Sequence, residues 1–113
     1  MNRKQPLYLN LRQYIIDAII DGKYVEGDFL PSVRAMALEQ GANPLTVAKA
    51  YQFFQDANLV AVQRGVGLKI SSGARQKLKQ TEREKFIQEI WPKICRKMDQ
   101  LNLNIEDLNN ISR

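Results

Sequence analysis

Apolar residues recur at helical spacing in five stretches of this chain, and the polar breaks between them are as informative as the runs. From Leu7 to Asp21, Leu11, Tyr14, Ile15, Ala18 and Ile19 fall on one face, with Pro6 at the entry and Gly22 at the exit. This predicts a helix of about four turns. Val33, Met36 and Ala37 form a shorter face, which Ser32 is placed to cap and Gly41 to end. Asn43-Pro44 then opens a third helix with a capping side chain and a proline where no N–H is needed. Its inward stripe is Val47, Ala50, Tyr51 and Phe54, leaving Leu45, Lys49 and Gln52 opposite, with Thr46, Ala48 and Phe53 on the flanks. Two helices joined at Gly41, the second polar on its outer side, have the pattern of a helix-turn-helix.

Between the first two helices, Gly27-Asp28 signals a turn and Phe29-Leu30 a very short strand before Pro31. After the third helix, which Asn58 is placed to end, the β-prone runs 59–62 and 68–70 flank Gln63-Arg64-Gly65-Val66-Gly67. Two glycines there suit a hairpin turn, and Arg64 at its tip is in reach of a phosphate or a minor groove. A helix-turn-helix followed by such a hairpin is a winged helix.

Beyond Ile70 the character changes. Ser71-Ser72-Gly73 is a polar junction, and 74–101 reads as a long helix whose first part, 74–85, is charged and expected to face solvent. Ile87, Trp91, Ile94, Met98 and Leu101 then recur at spacings of four and three, with Ile90 alongside, which is a seam wanting a partner. Packing on its own head is one reading of that seam; pairing with a second copy is the favoured one. Pro92 predicts a kink or break between Gln88 and Pro92. Asn104 is placed to cap a short last helix with Ile105, Leu108 and Ile111 on one face, folding back on the seam. The expected organisation is mostly α with a small β-hairpin: a winged helix-turn-helix over 1–72 and a helical dimerisation region over 73–113.

Composition narrows the function. With no histidine and a single cysteine, Cys95, a zinc or histidine-based catalytic centre is excluded, and no nucleophile–base pair or phosphate loop stands out. An enzyme is not expected, nor a cofactor or metal. The lone cysteine fits a reducing cytoplasm, and no apolar run reaches the length of a membrane span. Net charge is +5, but residues 1–70 hold eight basic against six acidic side chains and 71–113 nine against six. Any nucleic-acid surface therefore depends on where charges sit, not on how many there are.

The residues Pro6-Leu7-Tyr8, Gly22, Gly27-Asp28, Leu30-Pro31-Ser32, Arg34, Ala37, Thr46-Val47, Ala50-Tyr51, Leu59-Val60 and Gly65-x-Gly67 are ordered and spaced so that the segment from Pro6 to Ile70 resembles the N-terminal domain of the GntR family of bacterial transcription regulators. Many members carry Ser-Arg before the recognition helix; Asn43-Pro44 followed by Thr46-Val47 looks like the YtrA subfamily. The resemblance implies DNA contacts from Arg34, Thr46, Lys49, Arg64 and Gly65. Gly67 belongs to the same wing motif, and the residue types add Asn43, as cap and phosphate ligand, and Gln52, as a base-edge candidate.

Dimerisation is assigned to Ile87, Ile90, Trp91, Ile94, Met98 and Leu101. The resemblance also implies two helices after the wing, too few for a large effector domain, and a cytoplasmic repressor that autoregulates an operon, commonly one with transporter genes. Its expected partners are operator DNA and a second copy of itself. The alternative is a winged helix that binds another protein and no specific DNA.

Overall fold

In the computed structural model, residues 5–111 are described; the outer limits of the two expected regions, 1 and 113, lie outside them. The order is α1 (Leu7–Asp21), α2 (Val33–Gln40), α3 (Pro44–Asp56), β1 (Val60–Gln63), β2 (Gly67–Ile70), α4 (Ala74–Lys85), a five-residue π turn (Phe86–Ile90), α5 (Trp91–Gln100) and α6 (Ile105–Ile111). The chain forms two compact units, one reaching to Lys79 and the other starting at Gln80.

The first unit owes its shape to where its helices stop. At the end of α2, Gly41 takes φ 62°, a left-handed conformation that glycine adopts without a Cβ clash. There the N–H of Ala42 reaches back to the carbonyl of Ala37 at 2.9 Å, the closing bond of a Schellman motif. Asn58 does the same for α3 at φ 58°, with Leu59 N–H donating to Phe54 O at 2.9 Å. Starts are equally defined. Ser32 Oγ accepts from Ala35 N–H at 3.0 Å and Asn43 Oδ1 from Leu45 N–H at 2.8 Å. The turn between α2 and α3 is thus fixed by local chemistry at both of its ends.

Those fixed ends aim the expected stripes inward. Val47, Ala50, Tyr51 and Phe54 of α3 are all buried, against Leu11, Ile15, Ile16 and Ile19 of α1 and Met36 and Ala37 of α2. Tyr51 spends its one polar atom by donating to the Pro31 carbonyl at 2.7 Å, which pins α3 to the entry of α2. Strands β1 and β2 pair antiparallel, Val60 with Ile70 through Gln63 with Gly67. On the other side of β2, the segment 27–30 adds Gly27 N–H to Ile70 O, Ile70 N–H to Asp28 O and Leu30 N–H to Leu68 O. The strand expected at Phe29-Leu30 is a single bridge, Phe29 with Lys69.

One expectation is corrected. The charged segment 74–85 is not wholly solvent-facing: Ala74 and Leu78 are buried in the core of the first unit. Two apolar side chains four residues apart make a stripe narrow enough to vanish among charges, yet they carry the head of α4 into the core. Glu26 completes the start of that helix from 49 residues away, its carboxylate accepting from Arg75 N–H at 3.1 Å. Arg75 Nε in turn donates to Ile20 O, near the end of α1, at 2.8 Å.

In the second unit the long helix contains a π turn where a kink or break was expected. Trp91 N–H bonds to Phe86 O, five residues back, just before Pro92, which has no N–H to continue the α pattern. The wider turn brings Phe86 and Trp91 into register, and their rings stack at 6.4 Å. After α5, Asn102 takes φ 54° and Leu103 N–H returns to Met98 O at 2.9 Å. Asn104 and Asp107 then cap α6 reciprocally: Asn104 Oδ1 accepts from Asp107 N–H at 2.9 Å, and Asp107 Oδ2 from Asn104 N–H at 3.0 Å. Trp91, Cys95 and Met98 of α5 share an open depression of about 540 Å³ with Leu103 and Ile105.

Candidate nucleic-acid interface

Three surface elements of the first unit carry the sequence-predicted contacts. Arg34 lies exposed in the first turn of α2, directly after the Ser32 cap. Asn43, Thr46, Lys49 and Gln52 lie along α3, all exposed except the half-buried Thr46. Arg64, Gly65 and Gly67 form the exposed tip of the β1–β2 hairpin, where Gly65 has φ 80° and Gly67 φ 148°. The three-residue loop 64–66 is closed by Val66 N–H donating to Gln63 O at 2.9 Å. A side chain at position 65 would be strained by the left-handed backbone although nothing crowds it.

Several of these groups are more constrained than an exposed label suggests. Lys49 Nζ stands 4.1 Å from the ring centroid of Tyr8 on α1, a cation–π contact that orients the ammonium along the α1 side of α3. Gln52 Nε2 donates to Asp56 Oδ1 at 2.8 Å. Asn43 Oδ1 is committed to its cap. Pro44 has no N–H, and the N–H groups of Leu45, Thr46 and Val47 all bond to Asn43. The start of α3 is therefore a satisfied helix end, and its backbone offers no free donors to an anion.

Sequence reasoning missed Arg12. Its guanidinium carbon is 4.3 Å from the Phe53 ring centroid and 5.8 Å from that of Tyr8. With Lys49 it brings a second cation to a shallow depression of about 450 Å³ lined also by Tyr8, Gln52, Phe53 and Asp56. The available signal was its place beside the buried Leu11, one turn from Tyr8, but a lone arginine on an amphipathic helix ordinarily reads as solvated.

The titrating groups held away from their usual range belong to the scaffold. Burial pushes the Tyr24 hydroxyl up to about 12, and burial likewise raises Tyr51. The backbone N–H groups of Gly73 and Arg75 hold the Glu26 carboxyl below the usual carboxylate range. A hydrogen bond to Tyr14 raises Lys23, which also pairs with Glu39 at 3.8 Å. Among the described residues no charged side chain is buried, and no His/Cys/Asp/Glu group is placed to hold a metal ion. No helix among them is long and apolar enough to cross a membrane.

The six residues assigned to dimerisation sit in the second unit without burial. Ile87, Ile90, Trp91 and Leu101 are exposed, while Ile94 and Met98 are half-buried. Phe86, absent from the expected seam, joins them through its stack on Trp91.

Comparison with known proteins places this geometry. Residues 7–70 match the family model for bacterial regulatory proteins of the gntR family. The HTH-type transcriptional repressor YtrA of Bacillus subtilis is 37% identical over 73 residues, 65% of this chain and 56% of that protein. YhcF of the same organism, an uncharacterised HTH-type transcriptional regulator, is 28% identical over 104 residues, 92% of this chain and 84% of YhcF. A solved GntR family transcriptional regulator from Listeria monocytogenes shares the fold, with a TM-score of 0.77 at 24% identity over 97% of this chain and 95% of its own.

Proposed function

We propose that this chain, which belongs to the GntR family of bacterial regulatory proteins and to its YtrA subfamily, and is thus a DNA-binding transcription regulator and not an enzyme, works as a homodimeric repressor on a palindromic operator. Each α3 enters a major groove, with Asn43, Thr46, Lys49 and Gln52 toward the DNA. Arg34 and the wing tip at Arg64, Gly65 and Gly67 hold the backbone or the adjacent minor groove. Ile87, Ile90, Trp91, Ile94, Met98 and Leu101 pair two copies, so that two heads read two half-sites about one helical turn or more apart. Repression follows from occupying a promoter in the cytoplasm, including the chain's own, as the YtrA resemblance suggests for operons with transporter genes.

The observation that carries this reading is the α2–α3 pair, capped at both sides of its turn, whose second helix buries one complete stripe and leaves Leu45, Ala48, Lys49 and Gln52 exposed. A helix that rigid and that solvent-facing is suited to a groove. The apolar surface left open on residues 80–111, none of which is buried, supports the pairing of two chains.

The test is binding of the full chain to the DNA upstream of its own gene, against a scrambled duplex, across a salt series. A preference of about a thousandfold with two chains per site is expected. Equal, weak and steeply salt-dependent binding to both duplexes would overturn it and favour a protein-interaction module.

A further inference from the structure

The hydrogen-bonding side chains at the start of α3 are few and already engaged or half-buried, and the large side chain left exposed beside them, Leu45, is apolar. A recognition helix presents its N-terminal residues to base edges. Here the exposed side chains of the first two turns are Pro44, Leu45, Ala48 and Lys49. Lys49 leans on the Tyr8 ring at 4.1 Å, Thr46 is half-buried, and Asn43 has its carbonyl oxygen committed to the helix cap. Leu45 is 79% exposed and so adds almost nothing to the core. Ala48 follows it by three residues, on the adjoining part of the outward face.

In the major groove, purine edges and cytosine are read by hydrogen bonds. The one feature an apolar side chain recognises is the 5-methyl group of thymine. We infer that Leu45, flanked by Ala48, is a specificity-determining residue that selects thymine in the half-site by methyl contact. The inference rests on the proposed docking of α3 in the groove and adds to it the base that is read there. It also gives the exposed leucine a role that the fold does not supply.

The test begins with selection of duplexes from a random library by the full-length protein. Each thymine of the enriched half-site is then replaced by deoxyuridine, which removes the methyl and keeps every hydrogen-bonding group. At one or two positions the wild-type protein is expected to lose about fourfold in affinity per methyl removed. Leu45→Ala is expected to bind thymine and deoxyuridine alike at one of those positions, while Arg64→Ala weakens both duplexes equally and keeps the ratio. Because Leu45 is exposed, the alanine variant keeps its fold, which circular dichroism verifies. An enriched half-site without thymine, one indifferent to deoxyuridine, or a ratio that survives in Leu45→Ala would overturn this inference alone. A library that enriches no sequence would overturn the DNA-specific reading together with it.

Discussion

The two units use the same local grammar and reach opposite ends. Both close a helix with a left-handed asparagine, Asn58 in one and Asn102 in the other, and both open a helix with an asparagine cap, Asn43 and Asn104. Both carry apolar stripes at helical spacing. In the first unit those stripes meet one another, and Ile15, Met36, Val47, Ala50 and Phe54 are wholly withdrawn from water. In the second, no described residue from 80 to 111 is buried. Amphipathic spacing specifies a face; it does not specify what the face meets. A unit with a core stands by itself, whereas a unit with only a face calls for another surface.

That difference sets the order of expected effects. Phe54→Ala empties a fully packed site and should cost about 3–5 kcal/mol. The loss is read by denaturant unfolding, and it should not depend on protein concentration. A concentration-dependent loss would mean that the first unit is not self-sufficient. Next in size, Trp91→Ala should weaken self-association by about 2 kcal/mol or more, as for an aromatic anchor at an interface. Sedimentation equilibrium measures it, and an unchanged dimer constant would remove the case for a second copy on that face.

Tyr51→Phe leaves the Pro31 carbonyl without its partner and should cost about 1–3 kcal/mol. The change should appear in hydrogen exchange at the start of α2 as well as in global stability. Smaller still, Asn43→Ala removes a cap worth about 1 kcal/mol. The matching change Asn104→Ala sharpens the contrast, because its effect should surface mainly through dimerisation, whereas that of Asn43→Ala should surface as lost head stability.

The smallest effect is one of pH. The folded state holds Tyr24 at about 12 against an ordinary 10.0. The unfolded chain therefore ionises first, and the stabilising contribution, full below pH 10, is lost as pH rises toward 12. Tyr24 and Tyr51, both raised by burial, lie in the first unit. Alkaline titration should accordingly loosen the head, and Tyr24→Phe should flatten that part of the profile. A profile identical in the variant would refute the assignment.

Much of this architecture is legible in the sequence because its signals are local. Ser32, Gly41, Asn43-Pro44 and Asn58 each act on their own turn, and the stripe Val47, Ala50, Tyr51 and Phe54 follows from period alone. The signals that escaped are those spanning distance or breaking period. Glu26 reaches α4 across 49 residues, and nothing adjacent to it in the sequence announces the bond. Arg12 and Lys49 meet aromatic rings on a neighbouring helix, a pairing that needs the helix crossing to be known. Phe86 joins Trp91 at a spacing of five, which a search at three and four passes over. The candidate interface residues lie on the elements the sequence expected for them, α2, α3 and the hairpin. The cap at Asn43 and the outward place of Leu45 follow from the sequence; the bond that ties Gln52 to Asp56 was not read from it.

The π turn at Phe86–Ile90 has a consequence for insertions and deletions. A turn closed over five residues instead of four holds one residue more than an α turn, so it acts as an absorbed insertion that resets the helical phase of α5. Deleting one residue there would restore α continuity and leave Ile94 and Met98 nearly in place relative to the helix before the turn, whereas deleting Lys93, beyond it, would swing Ile94 and Met98 by about 100°. Only the second deletion would split the apolar stripe onto two faces. Deletion of Lys93 should therefore abolish self-association, and deletion of Gln88 within the turn should spare it, in chains whose composition and helicity are almost unchanged. In that sense the reading frame of the surface is kept by one wide turn.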